Sequence, residues 1–154
     1  MTPEEQLKAL GLELPPTPRP GGIYKPVLIQ GGLAYVSGHP PVRQDGTWVL
    51  GRVGADLTLE QGQAAARQVG LAILATLRAG LESLDRVSRL VKLLGMANST
   101  PDFADHPKVI NGCSELFVEV FGEERGMGAR SAVGMGSLPR NIAVEIEAIF
   151  EIEG

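Results

Sequence analysis

"RSAVGMGSLPRNIAVEIEAIFEIE" (residues 130–153) is the stretch on which the fold turns. From Val144 onward apolar and polar residues alternate. Val144, Ile146, Ala148, Phe150 and Ile152 fall on one side, and Glu145, Glu147, Ile149, Glu151 and Glu153 on the other. A period of two is that of a strand with one buried face. The segment before it, about 129–136, also reads as a strand, and the turn "SLPRN" between the two predicts a hairpin. That hairpin would set Arg130 near the two acids Glu145 and Glu147.

Working outward, a helix is expected from about Pro107. Ile110, Cys113, Phe117 and Val120 form its stripe, Leu116 and Phe121 widen it, Glu115 and Glu119 fall outside, and Gly122 suits its stop. "RVSRLVKLLGMA" (86–97) reads as a strand, although Leu93-Leu94 breaks its alternation. Thr58 and Gln61 have capping-box spacing ahead of a helix that carries Ala66, Val69, Ile73 and Leu77 and ends near Gly80. Its small residues, Gly62, Ala64–Ala66 and Gly70, suit close packing against a sheet.

Toward the N-terminus, "KPVLIQ" and "LAYVSG" flank Gly31-Gly32 as a hairpin, with Pro26 marking an edge strand or a strand start. "TWVLGRV" (47–53) is expected to add a short strand after a turn at Asp45-Gly46. Thr2 and Glu5 repeat the capping-box spacing for a first short helix, with Pro3 at its start and Gly11 at its stop; "PPTPRPGG" (15–22) is a helix-hostile connector.

The expected order is therefore β-β-β-α-β-α-β-β after an N-terminal helix: an α+β sandwich with two helices on one face of a mixed sheet. A single domain over residues 1–154 is expected, residues 1–20 being a helix and Pro-rich extension. The Val144/Ile146/Phe150 face belongs under the helices. The Glu face, with Ile149, Val133 and Met135, is left without a covering layer, which predicts a homo-oligomer that packs sheet faces together.

With 154 residues and 44% hydrophobic content the chain can build one adequate core, and at 5% aromatics that core must be largely aliphatic. No apolar run is long enough for a membrane-spanning helix, and the acidic, polar start "MTPEEQLKAL" is unlike a secretory signal. One cysteine makes no internal disulfide, which fits a reducing, cytoplasmic setting. A net charge of −4 without a basic cluster argues against nucleic acid as a partner.

Among single residues, Arg130 opens an otherwise small or apolar strand, where a guanidinium can clamp a carboxylate through two parallel hydrogen bonds. The alternative is a structural ion pair with Glu145 or Glu147. Glu145 can orient or deprotonate a water if it sits in a cleft, or stand as a solvated strand carboxylate, and Glu147 competes for the same role. Tyr24 follows Gly21-Gly22, Ser37 has no histidine–carboxylate partnership that would make it a nucleophile, and Asn111 falls early in the second long helix. His39 and His106 lack metal-ligand spacing, so no metal is expected, and Cys113 on the apolar stripe reads as a small core residue.

The ordered set "GIY" (22–24), "LAYVSGH" (33–39), "DF" (102–103) with Asn111, "ARS" (129–131), "LP" (138–139) and "VEIEAI" (144–149) resembles the YjgF-type reactive-intermediate deaminases, RidA, over residues 16–152. The resemblance implies a chorismate-mutase-like α+β fold and a homotrimer whose sheets face inward as a barrel, with ligand clefts between subunits. It also implies hydrolysis of 2-imino acids and enamines to 2-keto acids and ammonia, with no metal or organic cofactor. Carried over, Arg130 matches the arginine that grips the substrate carboxylate and Glu145 the acid that positions water. Tyr24, Ser37 and Asn111 match cleft-lining residues. Gly128 in "GARS", His39, "YKPV" and a longer segment between Asn111 and Arg130 depart from the usual pattern and mark a divergent subgroup. Two other readings go with the family: a non-catalytic trimer that binds small carboxylates, and an endoribonuclease or translation inhibitor, which the acidic balance and the missing histidine pair disfavour.

Overall fold

The alternating C-terminal strand lies at the centre of a five-stranded sheet. In a computed structural model describing residues 1–153, the elements are α1 (Pro3–Ala9), β1 (Val27–Gln30), β2 (Leu33–His39), α2 (Leu59–Leu81), β3 (Val87–Asn98), α3 (His106–Phe121), α4 (Glu123–Gly126), β4 (Ala129–Met135) and β5 (Val144–Ile152). The strand order is β1-β2-β5-β3-β4. β5 runs antiparallel to both β2 and β3, and β4 runs parallel to β3 at the edge.

This order corrects the expected 129–152 hairpin. β3 lies between β4 and β5, because a parallel β3–β4 pair needs a crossover and α3 supplies it. The "SLPRN" segment, with a 3₁₀ turn at Pro139–Asn141, then carries the chain past β3 to β5. Residues 47–53 form no strand either. Isolated bridges from Val42 to Trp48, from Leu50 to Ile142, and from Val53 to Leu57 and Ser99 hold them, and Gly51 and Gly54, at φ 123° and 97°, interrupt the extended path. The broken alternation in β3 has its cause in a register shift between Leu90 and Lys92. Val91 is the extra, exposed residue, and Leu93 then returns to the helix side.

Local signals elsewhere act as expected. Both capping boxes form, Thr2 with Glu5 and Thr58 with Gln61, each contributing about 1 kcal/mol to its helix start. Gly31 and Gly32 both have positive φ in the β1–β2 turn. Gly122 ends α3, its N–H donating to the Val118 carbonyl.

Val144, Ile146, Ala148, Phe150 and Ile152 are buried on the side covered by α2 and α3. Phe150 meets Phe117 of α3 edge-on at 5.5 Å between ring centres. α2 and α3 touch at Gly112, where a Cβ would overlap the Gln63 carbonyl oxygen, so only glycine permits that approach. The other sheet face stays open. Register places Leu28, Tyr35, Ile149 and Lys92 in one row across it, and Leu28, Tyr35 and Val133 are exposed. Among the described residues no helix is long and apolar enough to cross a membrane.

Candidate functional site

Register decides which groups can meet. Arg130 pairs with Leu93, which pairs with Ala148, so Arg130 projects toward the helices. Glu145 pairs with Met96, which pairs with Val133 on the open face. The sheet therefore stands between Arg130 and both glutamates, and an ion pair between them is ruled out within one chain. Instead, Arg130 Nη1 donates to Ser114 Oγ at 2.9 Å and Nη2 to the Pro107 carbonyl at 3.3 Å. Two of five guanidinium N–H groups are thus occupied, and Arg130 lines a groove of about 630 Å³ together with Asn111, Glu115 and Met127.

Glu145 owes its position to an irregularity in β2. The register with β5 shifts between Val36 and His39, which turns His39 inward beneath α2. His39 Nδ1 lies 2.6 Å from the Ser37 carbonyl and Nε2 lies 2.7 Å from Thr76 Oγ1. A carbonyl only accepts, so Nδ1 carries the proton and Nε2 accepts from the Thr76 hydroxyl. Burial pushes the His39 pKa down, more than the Ser37 bond restores it, and keeps the ring neutral. The bulge brings the Gly38 backbone against the Glu145 carboxylate; a Cβ at position 38 would overlap its oxygen.

The half-buried Glu145 carboxyl has its pKa raised, first by desolvation and then by the neighbouring Glu147 charge. A carboxylate shifted in that direction is a better proton acceptor than a solvated one. It lines a cavity of about 430 Å³ together with Tyr24, Gly38, Trp48, Arg140 and Arg19. The Tyr24 phenol oxygen accepts the Gly21 N–H at 3.0 Å, which pins the ring and leaves its own O–H free to donate. Ser37 donates to the Lys25 carbonyl at 2.7 Å and lines an adjoining depression with Tyr24, Tyr35 and Glu147.

Of the residues singled out in the sequence, Tyr24 and Glu145 share one cavity and Ser37 lies beside it. Arg130 and Asn111 share a second groove on the far side of the sheet. The candidate residues of one chain thus fall into two separate pockets.

Residues 4–147 match the family described as "YjgF/chorismate mutase-like, putative endoribonuclease". The chain belongs to this YjgF family. Protein TCP17 of Trypanosoma cruzi is 42% identical over 146 residues, which is 95% of this chain and 91% of that protein. The crystal structure of Atu1372 from Agrobacterium tumefaciens is 42% identical with a TM-score of 0.89, covering 99% of this chain and 93% of that one. A "putative endoribonuclease" from Shewanella oneidensis is 34% identical with a TM-score of 0.93, covering 99% and 100%. The YjgF/chorismate-mutase-like fold is thus present over nearly the whole chain.

Within this YjgF-family frame, four residues escaped sequence reasoning. Arg140 and Asn141, inside the segment read as a turn, have left-handed φ of 54° and 59°. That geometry sets the Arg140 guanidinium 5.4 Å from the Trp48 ring centre. Asn141 is a usual left-handed residue, but nothing local marks Arg140 for that role, and Trp48 and Arg19 join the cavity only through tertiary contacts. Two other candidates take bland roles. Cys113 is wholly buried, and desolvation outweighs the nearby Arg130 charge in pushing its thiol far above the usual range. His106 lies 3.3 Å from Ser99 Oγ and edge-on to Phe103.

Proposed function

We propose that this YjgF-family protein hydrolyses 2-imino acids and their enamine tautomers to 2-keto acids and ammonia in clefts between the subunits of a cytoplasmic homotrimer. The observation that carries the reading is the division of the site. Arg130 and Asn111 occupy one groove, Glu145 and Tyr24 another, and the sheet separates them. In a closed ring each copy offers one half-site to each neighbour, so every cleft receives both an anion grip and an acid. The exposed Leu28, Tyr35 and Val133 supply the apolar sheet face such a ring would cover.

The chemistry follows from the groups. Ser114 and the Pro107 carbonyl orient Arg130, whose remaining N–H groups hold the substrate carboxylate in a fork, with Asn111 beside it. A protonated imine is electrophilic at C2. Water attacks C2 while Glu145 of the adjoining copy accepts its proton, and the C=N π electrons move to nitrogen. In the resulting carbinolamine the C–N bond breaks. Glu145 returns its proton to the amine nitrogen, which departs as ammonia with the C–N electron pair. The hydroxyl proton passes to the Glu145 carboxylate and on to ammonia as that oxygen becomes the keto group. Burial helps here, because desolvation raises the Glu145 pKa and makes the carboxylate a better proton acceptor than a solvated one. Tyr24, held by Gly21, directs its O–H toward the reacting centre.

A threonine-dehydratase reaction run with semicarbazide tests this, the protein competing with the trap for free imine. Wild type is expected to lower semicarbazone formation, and Arg130→Ala and Glu145→Gln are not. Equal traces for all three, with tight 2-oxobutyrate binding, would replace the enzyme by a carboxylate-binding trimer. A monomer by light scattering at micromolar concentration would remove the shared cleft.

A further inference from the structure

The Glu145 cavity holds more positive charge than the hydrolysis of a simple imine uses. Two guanidiniums, Arg140 and Arg19, line it against the single carboxylate of Glu145. Neither arginine belongs to an ion pair among the described residues, whereas Arg67 and Arg78 are paired with Glu119 and Glu4.

We propose that Arg140, assisted by Arg19, forms a second anion subsite in this cavity and selects 2-imino acids whose side chain ends in a carboxylate. The inference rests on the deaminase reading for the reaction, but not for the binding preference.

Arg140 is pre-organised. Its backbone, at φ 54° and ψ 22°, occupies a region that costs a non-glycine residue roughly 1 kcal/mol or more and persists only where its surroundings enforce it. The enforcement is visible. The buried Asn98 amide donates to Asn141 Oδ1 at 2.9 Å and to the Ile142 carbonyl at 3.1 Å, clamping the turn from below. The guanidinium then lies over the Trp48 indole, and the Trp48 carbonyl is itself held by Arg43 at 3.1 Å. The Arg140 guanidinium makes no side-chain hydrogen bond or ion pair among the described residues, which leaves its N–H groups for a planar anion.

Neither arginine forms an ion pair with Glu145 among the described residues. Its carboxyl is shifted upward by burial and by Glu147, the opposite of what a contacting guanidinium does. Both guanidiniums line the same cavity as the proposed water-activating group, so a carboxylate at the far end of a longer substrate would find a cationic partner there.

Calorimetric titration with 2-oxoglutarate and 2-oxobutyrate, the keto products of the two substrate classes, reads the preference without requiring turnover. Wild type is expected to bind 2-oxoglutarate about tenfold more tightly or better, the range of one charge-assisted hydrogen-bonded contact. Arg140→Gln, at an exposed position where folding is not at stake, is expected to bring that ratio close to one. Equal affinities in wild type, or an unchanged ratio in Arg140→Gln, would overturn the subsite. Trapping assays on 2-iminoglutarate and 2-iminobutyrate separate the two readings. If neither is hydrolysed while the binding ratio holds, the deaminase reading falls and the subsite stands. If both are hydrolysed at equal rates with equal product affinities, the subsite falls and the deaminase reading stands.

Discussion

Replacing Gly38 by alanine sets a methyl group where the Glu145 carboxylate packs against bare backbone. The obstructed atoms are the far end of a flexible side chain, so the clash is relieved by rotating Glu145, not by moving β2. An off-rotamer side chain costs on the order of 1 kcal/mol. For a chain of this size that lowers Tm by roughly 2–4 °C. The consequence for the reaction is larger. Displacing the carboxylate by roughly an ångström costs about a hundredfold in kcat/KM, or about 2.7 kcal/mol of transition-state stabilisation. Gly38→Ala should therefore melt close to wild type and yet hydrolyse imine about a hundredfold more slowly. Gly136→Ala, where a Cβ meets nothing within 4 Å, serves as the control and should change neither. Thermal melts followed by circular dichroism, together with the semicarbazide competition assay, give both readouts. A Gly38→Ala protein with the wild-type rate would refute the placement of Glu145 in the reaction. A melting temperature lowered by tens of degrees would show that Gly38 serves the backbone instead.

Three further outcomes follow from buried or bridging groups. His39→Gln leaves the Thr76 hydroxyl poorly partnered and should cost about 2 kcal/mol at pH 8. Burial depresses the His39 pKa in the fold, so its stabilising contribution is present above the unfolded value near 6.5 and is lost as pH falls. The Tm gap between wild type and His39→Gln should thus narrow from pH 8 to pH 5, a comparison in which the opposite contribution of Glu145 cancels; a constant gap would count against the neutral, buried ring. Native Cys113 should resist thiol reagents until the chain is denatured, and labelling of folded protein within minutes would contradict its burial. Glu4 accepts two hydrogen bonds from Arg78 Nε and Nη2, as well as the Leu84 N–H, so Glu4→Ala should loosen α1. The pair is partly exposed, which limits the cost to about 1 kcal/mol and makes it shrink in high salt. Urea melts at two salt concentrations would measure it, and an unchanged midpoint would show that the Glu4 carboxylate does not help to hold α1.

What could be read from the residues was local. The capping boxes at Thr2 and Thr58, the glycine turn before Leu33 and the alternation of β5 each lie within a few residues, and each formed. Glu145 was separable from Ile146 by alternation alone, because adjacent residues of a strand face opposite ways. The motif order also pointed to Tyr24 and Glu145, which share a cavity. The helix side of Arg130 was not legible, since the 129–136 strand could pair with either neighbour and only the β3–β4 register sets its direction. Nor was the bulge at Ser37–Gly38, which turns His39 toward Thr76 across 37 residues.

The sequence by itself thus determined most of the elements, the buried faces of α2, α3 and β5, and the family, because side-chain periodicity and capping act over one or two turns of chain. Only the tertiary structure decided that β3 inserts between β4 and β5, that Arg130 and Glu145 stand on opposite faces of one sheet, and that Arg140 reaches Trp48. Those are choices among partners distant in sequence, and the free energy that selects them comes from packing the whole core at once, with no signature in any single stretch of residues.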